Sequence, residues 1–175
     1  RGELRFTPLP DAYRTATIIF ELQDTGGTAQ SGSDTSPMEF FVITLRDVND
    51  APSFNAGSDQ TTNEDSGAQS VSGWATGLSR GPVNESWQDL TFMIASNSNA
   101  GLFSAGPSVG SNGTLTYTPA PNTNGSATIH IYLHDGGGSL NGGNPDSPEQ
   151  TFVITILPVN DPPVNTLLPQ VTGHP

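Results

Sequence analysis

Apolar and polar side chains alternate one by one along much of the second half of the chain. Ala127, Ile129, Ile131 and Leu133 alternate with Thr128, His130, Tyr132 and His134, while Phe152, Ile154 and Ile156 alternate with Val153 and Thr155. A period of two sustained this long sets one face in a core and the other in solvent, and predicts a strand at each segment. Leu90-Thr91-Phe92-Met93-Ile94 and the stretch from Gly113 to Thr118 predict two more. Ser70-Val71-Ser72-Gly73-Trp74 predicts another, with Trp74 as a core plug; Leu102-Phe103 marks a short one, and an early strand lies near Phe54. Turns rich in Asn, Gly and Pro separate them, and nothing keeps a helical period beyond about a turn. The expectation is an all-β Greek-key sandwich of about seven antiparallel strands, A to G in chain order.

The pattern repeats. Gly2-Glu3-Leu4-Arg5-Phe6-Thr7-Pro8 returns 111 residues later as Gly113-Thr114-Leu115-Thr116-Tyr117-Thr118-Pro119. At that offset Ala16-Thr17-Ile18 meets Ala127-Thr128-Ile129, Phe41-Val42-Ile43-Thr44 meets Phe152-Val153-Ile154-Thr155, and Val48-Asn49-Asp50-Ala51-Pro52 meets Val159-Asn160-Asp161-Pro162-Pro163. A unit of this length is too long for a solenoid repeat and fits a whole immunoglobulin-sized sandwich. The chain therefore divides into the C-terminal half of one repeat (1–52), a complete repeat (53–163) and the start of the next repeat, or a donor strand (164–175). Beginning inside a strand at Arg1, it reads as an internal piece of a longer polypeptide. The half-repeat is expected to expose a sheet edge and half a core.

Composition narrows the chemistry. Seventeen acidic residues face five basic ones, all arginine, for a net charge of −12. Such a chain repels nucleic acid and anionic membranes and attracts cations. Without cysteine it has no disulfide or zinc-thiolate site. No apolar run approaches the about 18 residues of a membrane helix, so no membrane insertion is expected in this segment.

The candidate chemistry lies where repeats meet. Asp47-Val48-Asn49-Asp50-Ala51-Pro52 strings oxygen donors along a linker that its proline keeps extended. Calcium takes 6–8 such oxygens. In a seven-strand sandwich, the B–C loop with Asn84 and Glu85 and the F–G loop with Asp135 face this incoming linker. At the opposite end, Glu64 and Asp65 of the A–B loop and Asn122 and Asn124 of the E–F loop lie near Asn160 and Asp161. Like charges brought so close call for a counter-ion. The linker resembles the calcium-binding Asp-x-Asn-Asp-x-Pro linker of cadherins. With Gly73-Trp74-Ala75-Thr76-Gly77, Gly81-Pro82-Val83-Asn84-Glu85-Ser86 and the closing Val159-Asn160-Asp161-Pro162-Pro163, the motif order resembles the bacterial cadherin-like tandem repeats of large secreted surface proteins and adhesins.

That resemblance implies an immunoglobulin/cadherin-like fold, Ca2+ as the bound ion, an extracellular or bacterial cell-surface location, and a stalk or adhesive role rather than an enzymatic one. The expected metal set is Asp47, Asn49, Asp50, Glu64, Asp65, Glu85, Asp135, Asn160 and Asp161. Pro158 stands where the first linker has Asp47, so the second junction is expected to bind ions fewer in number or more weakly. Expected partners are neighbouring repeats of the same or identical chains, with a cell-surface or glycan ligand in view. Two other readings compete. One is a filament subunit that completes its half-sandwich by strand exchange, with 164–175 as donor. The other is a carbohydrate-binding module using Trp87, should it prove exposed rather than a cap on the core. His130 and His134 have Ile19 and Gln23 as repeat equivalents, which marks outward strand positions rather than a catalytic pair. The glycine-rich stretch 136–143 has no following helix and no lysine, so it is no phosphate-binding loop.

Overall fold

A computed structural model describes residues 2–163; the reading of 164–175 as a next repeat or donor strand lies outside the described residues. The described chain is all-β, with eleven strands and four three-residue 3-10 turns. Among the described residues no helix is long and apolar enough to cross a membrane. By internal contacts the chain forms two compact units. Among the described residues, one unites 2–53, Ser79–Leu90 and His134–Ser147; the other unites Phe54–Leu78, Thr91–Leu133 and 148–163.

The strands are β1 (Arg14–Phe20), β2 (Glu39–Leu45), β3 (Ser53–Asn55), β4 (Gln60–Asn63), β5 (Gln69–Val71), β6 (Thr76–Ser79), β7 (Leu90–Asn97), β8 (Phe103–Val109), β9 (Leu115–Pro119), β10 (Gly125–Asp135) and β11 (Gln150–Leu157). The second unit is built on a four-stranded sheet, β4-β11-β10-β7, and a three-stranded sheet, β5-β9-β8, with β3 and β6 paired beside them. The period-two pattern settles what goes inside. Ala127, Ile129, Ile131 and Leu133 of β10 are fully buried, as are Phe152, Ile154 and Ile156 of β11 and Leu115 of β9. Each large aliphatic side chain so buried contributes about 1.5–3 kcal/mol. Trp74 is buried as the plug, its ring centroid 4.4 Å from that of Phe152, and Phe54 meets Phe92 edge-on at 5.0 Å.

The repeat holds nine strands rather than seven, β6 being one that the pattern did not mark, and two further features depart from the expectation. First, the opening strand is broken: β3 pairs with β6, whereas β4 joins the four-stranded sheet. The break falls at Gly57, where a Cβ would lie 2.5 Å from the Trp74 carbonyl oxygen and 2.6 Å from its Cδ1. The Trp74 indole nitrogen donates to Ser58 O at 3.0 Å, so the chain bends around the plug and changes sheet. Second, β4 runs parallel to β11, pairing Gln60 with Ile154 through Asn63 with Leu157. At an edge of the three-stranded sheet, β8 carries two register shifts, between Phe103 and Ala105 and between Ala105 and Ser108, which interrupt its ladder with β9.

In the first unit, β1 and β2 form an antiparallel hairpin whose register runs from Arg14↔Leu45 to Phe20↔Glu39. Shifted by 111 residues, this is the register of β10 and β11, from Gly125↔Ile156 to Ile131↔Gln150. Even the isolated bridge Gln23↔Thr35 has its counterpart in His134↔Asp146. Burial differs between the two hairpins. Ile129 is 0% exposed, whereas its counterpart Ile18 is 36% exposed, and Phe20, Leu22 and Val42 are also exposed.

Candidate functional site

The first unit gathers the linker after β2, the loop between β6 and β7, and the loop between β10 and β11. Asp135 reaches this site as the last inward position of β10. The buried series 127, 129, 131, 133 continues onto it, and it is 1% exposed. Its Oδ1 accepts from the Gly137 amide at 2.9 Å and from Asn49 Nδ2 at 3.0 Å. Glu85 closes a 3-10 turn, Val83–Glu85, and is likewise 1% exposed. Its Oε1 accepts from the Asp50 amide at 2.9 Å.

Asn49 is the linker's fastening. Besides its bond to Asp135, its Nδ2 donates to Asn144 O at 2.9 Å. Its Oδ1 accepts from Gln88 Nε2 at 2.7 Å, and its backbone oxygen accepts from the Asn144 amide at 3.0 Å. Two glycines make room for it. A Cβ on Gly137 would fall 1.7 Å from Asn49 Oδ1, and one on Gly143 would fall 2.8 Å from Asn49 Cβ. Asp47 is exposed; its Oδ1 accepts from Asn84 Nδ2 at 3.3 Å and its backbone oxygen from Asn141 Nδ2 at 3.0 Å.

The electrostatics are one-sided. Burial first, then the charges of Asp50, Asp135 and Asp47, push the Glu85 carboxyl above its ordinary value of 4.5, and the Asp50 amide offsets this only in part. Among the described residues no arginine or histidine pairs with Asp47, Asp50, Glu85 or Asp135. Three buried acceptors, Glu85 Oε2, Asp135 Oδ2 and Gln88 Oε1, have no hydrogen-bond partner. Buried oxygens left this way are costly, and their hard, anionic character suits calcium. Yet among the described residues no three carboxylate or histidine side chains stand close enough together to clasp a metal. The donor chemistry fits the ion, but the carboxylates have not drawn together.

In the second unit, Glu64 is buried. Its Oε1 accepts from the Val159 amide at 2.7 Å, and its Oε2 is unpartnered. Asp65 Oδ1 accepts from the Asn122 amide at 3.2 Å. Asn160 and Asp161 are exposed, and the one side-chain bond between them runs from Asn160 Nδ2 to Asp161 O at 3.3 Å. The structure joins Asn49 to Asp135 and Asp50 to Glu85 by hydrogen bonds and holds Asp47 against Asn84 and Asn141, without gathering three of the carboxylates at one point. Glu64 and Asp65 touch the linker backbone and the Asn122 loop respectively, while Asn160 and Asp161 stay outside both contacts.

Sequence reasoning missed Gln88, which looks like any loop glutamine yet is buried against Asn49. It also missed Gly137 and Gly143, although the repeat keeps both as Gly26 and Gly32. Trp87 is 69% exposed and does not cap the core. His134 and His130 are half-exposed, pairing with Asp146 at 2.6 Å and Glu149 at 3.5 Å.

No family model matches the chain, and no curated protein matches it. Among solved structures it is similar to human protocadherin-24 EC1-2, with TM-score 0.51 and 12% identity over 83% of this chain and 67% of that one. A second crystal form of that protein, Form II, gives TM-score 0.52 and 13% identity over 85% and 67%. At such identities the likeness is one of fold, and the fold of this chain is a cadherin-like β-sandwich.

Proposed function

We propose that the chain is a calcium-stiffened structural spacer from an extracellular protein, built from tandem sandwiches, and that it performs no catalysis. The observation that carries this reading is the set of three buried, unpartnered acceptor oxygens on Glu85, Asp135 and Gln88 beside carboxylates with no countercharge. Asp47, Asp50, Glu85 and Asp135 would hold the ion, which would supply the missing positive charge; Asn49 would keep the linker in place. Glu64, Asp65, Asn160 and Asp161 form the corresponding candidate set at the other end, weakened by Pro158 in the place of Asp47. The bacterial-surface context rests on the motif resemblance, and the protocadherin fold likeness is compatible with an adhesive or stalk role.

The test is a calcium titration of the melting temperature after chelation. Binding to the folded state alone adds about 2.7 kcal/mol at a hundredfold excess over the dissociation constant. A melting temperature unmoved up to millimolar calcium, together with a scattering profile unchanged by chelator, would overturn the reading.

A second reading has one observation behind it. Trp87 is widely exposed and lines a cavity of about 390 Å³ with Arg46, Leu140 and Asn141. A flat aromatic wall beside amide and guanidinium donors suits a saccharide. Glycan-array binding that disappears in Trp87→Ala supports it; an empty array with the native protein removes it.

A further inference from the structure

We infer that Asn141 is a site of spontaneous deamidation, and that this modification loosens the linker's hold on its loop at Asp47. Three Asn-Gly pairs occur, at Asn112-Gly113, Asn124-Gly125 and Asn141-Gly142. In each, the glycine nitrogen can attack the asparagine Cγ. An N–Cγ bond forms, the Cγ–Nδ2 bond breaks, and ammonia leaves carrying the glycine amide proton. Water then opens the cyclic imide at either carbonyl, yielding aspartate or isoaspartate with no change of oxidation state. A glycine lacks the Cβ that would obstruct the approach.

The structure separates the three. The Gly113 amide donates to Gly110 O at 2.8 Å, and Gly113 is packed so closely that a Cβ would fall 2.1 Å from Ala75 O. Asn112 Oδ1 is engaged as well, accepting from the Thr114 amide at 3.0 Å. Gly125 lies inside the β10–β11 ladder opposite Ile156. Asn141 is different. It sits at an exposed loop tip beside Leu140, with φ of 58° followed by 93° at Gly142. Gly142 ends a three-residue 3-10 turn, Leu140–Gly142, and a Cβ there would meet nothing within 4 Å, so the segment is uncrowded where Gly113 is packed. What holds the Asn141 side chain is its bond to the Asp47 carbonyl. Deamidation removes that donor and sets a carboxylate against a carbonyl oxygen, next to Asp47 in a site already short of positive charge.

The experiment is peptide mapping by mass spectrometry of the native protein aged at mildly alkaline pH, beside a sample aged in denaturant. In the folded protein Asn141 is expected to convert to aspartate and isoaspartate several-fold faster than Asn112, and in denaturant the two rates should converge. Asn112 keeping pace in the folded sample, or Asn141 remaining intact once the denatured sample has converted, overturns the assignment. The consequence is read in Asn141→Asp, whose Asn144 amide should exchange hydrogen several-fold faster than in the native protein; unchanged exchange there shows that the modification does not loosen the linker.

Discussion

The backbone amide of Asp50 donates to the buried Glu85 Oε1 at 2.9 Å, while Glu85 Oε2 has no partner. One carboxylate thus holds the linker with one oxygen and leaves the other unsatisfied. Glu85→Ala should cost about 1–3 kcal/mol by orphaning the Asp50 amide. Glu85→Gln keeps an oxygen acceptor and should cost less. Chemical denaturation in chelator separates the two; equal losses would mean that the hydrogen bond contributes nothing.

The same residue predicts a pH dependence. Burial and neighbouring carboxylates raise the Glu85 pKa above its ordinary 4.5. The folded state then binds more protons than the unfolded one, so this group's contribution is complete below 4.5 and is lost as pH rises through the folded pKa. Without calcium, the native protein should lose stability over that interval relative to Glu85→Gln. Parallel pH profiles for the two proteins would contradict this.

Gly137→Ala should loosen the linker without touching a carboxylate, because its Cβ would occupy the position of Asn49 Oδ1. Overpacking of this kind costs about 1–3 kcal/mol. Gly136→Ala, whose Cβ would meet only the Asp89 amide nitrogen at 3.9 Å, is the matched control. Hydrogen exchange at the Asn144 amide should rise in the first and not in the second.

Repeat counterparts should differ in cost. Ile129→Ala empties a fully buried position and should cost about 2–5 kcal/mol. Ile18→Ala, at the same register of the other hairpin but 36% exposed, should cost well under half as much. Urea denaturation of both variants measures the difference.

How far the sequence discloses these features depends on what each residue signals. Alternation names the inward positions of β10 because burial on one face forces a period of two. The same alternation carries through Leu133 to Asp135, where a charged residue breaks the apolar pattern and reads as a turn. Strand direction leaves no trace in alternation, so the parallel β4–β11 pairing is invisible, as is the sheet change at Gly57, which depends on where the Trp74 ring comes to rest. Gln88 is hidden for a different reason: its burial is created by the Asn49 side chain from a distant segment. The two glycines that admit Asn49 were legible, since the repeat places glycine at both positions twice.

The parallel pairing of β4 with β11 bears on how the module meets tension. The chain arrives at Gln60, one end of this ladder, and departs beyond Leu157, the other end. A pull that reaches Gln60 past the β3–β6 pair therefore slides β4 and β11 past each other and strains the rungs from Gln60↔Ile154 to Asn63↔Leu157 in concert, instead of unzipping them singly. A sandwich of this topology resists extension by shear.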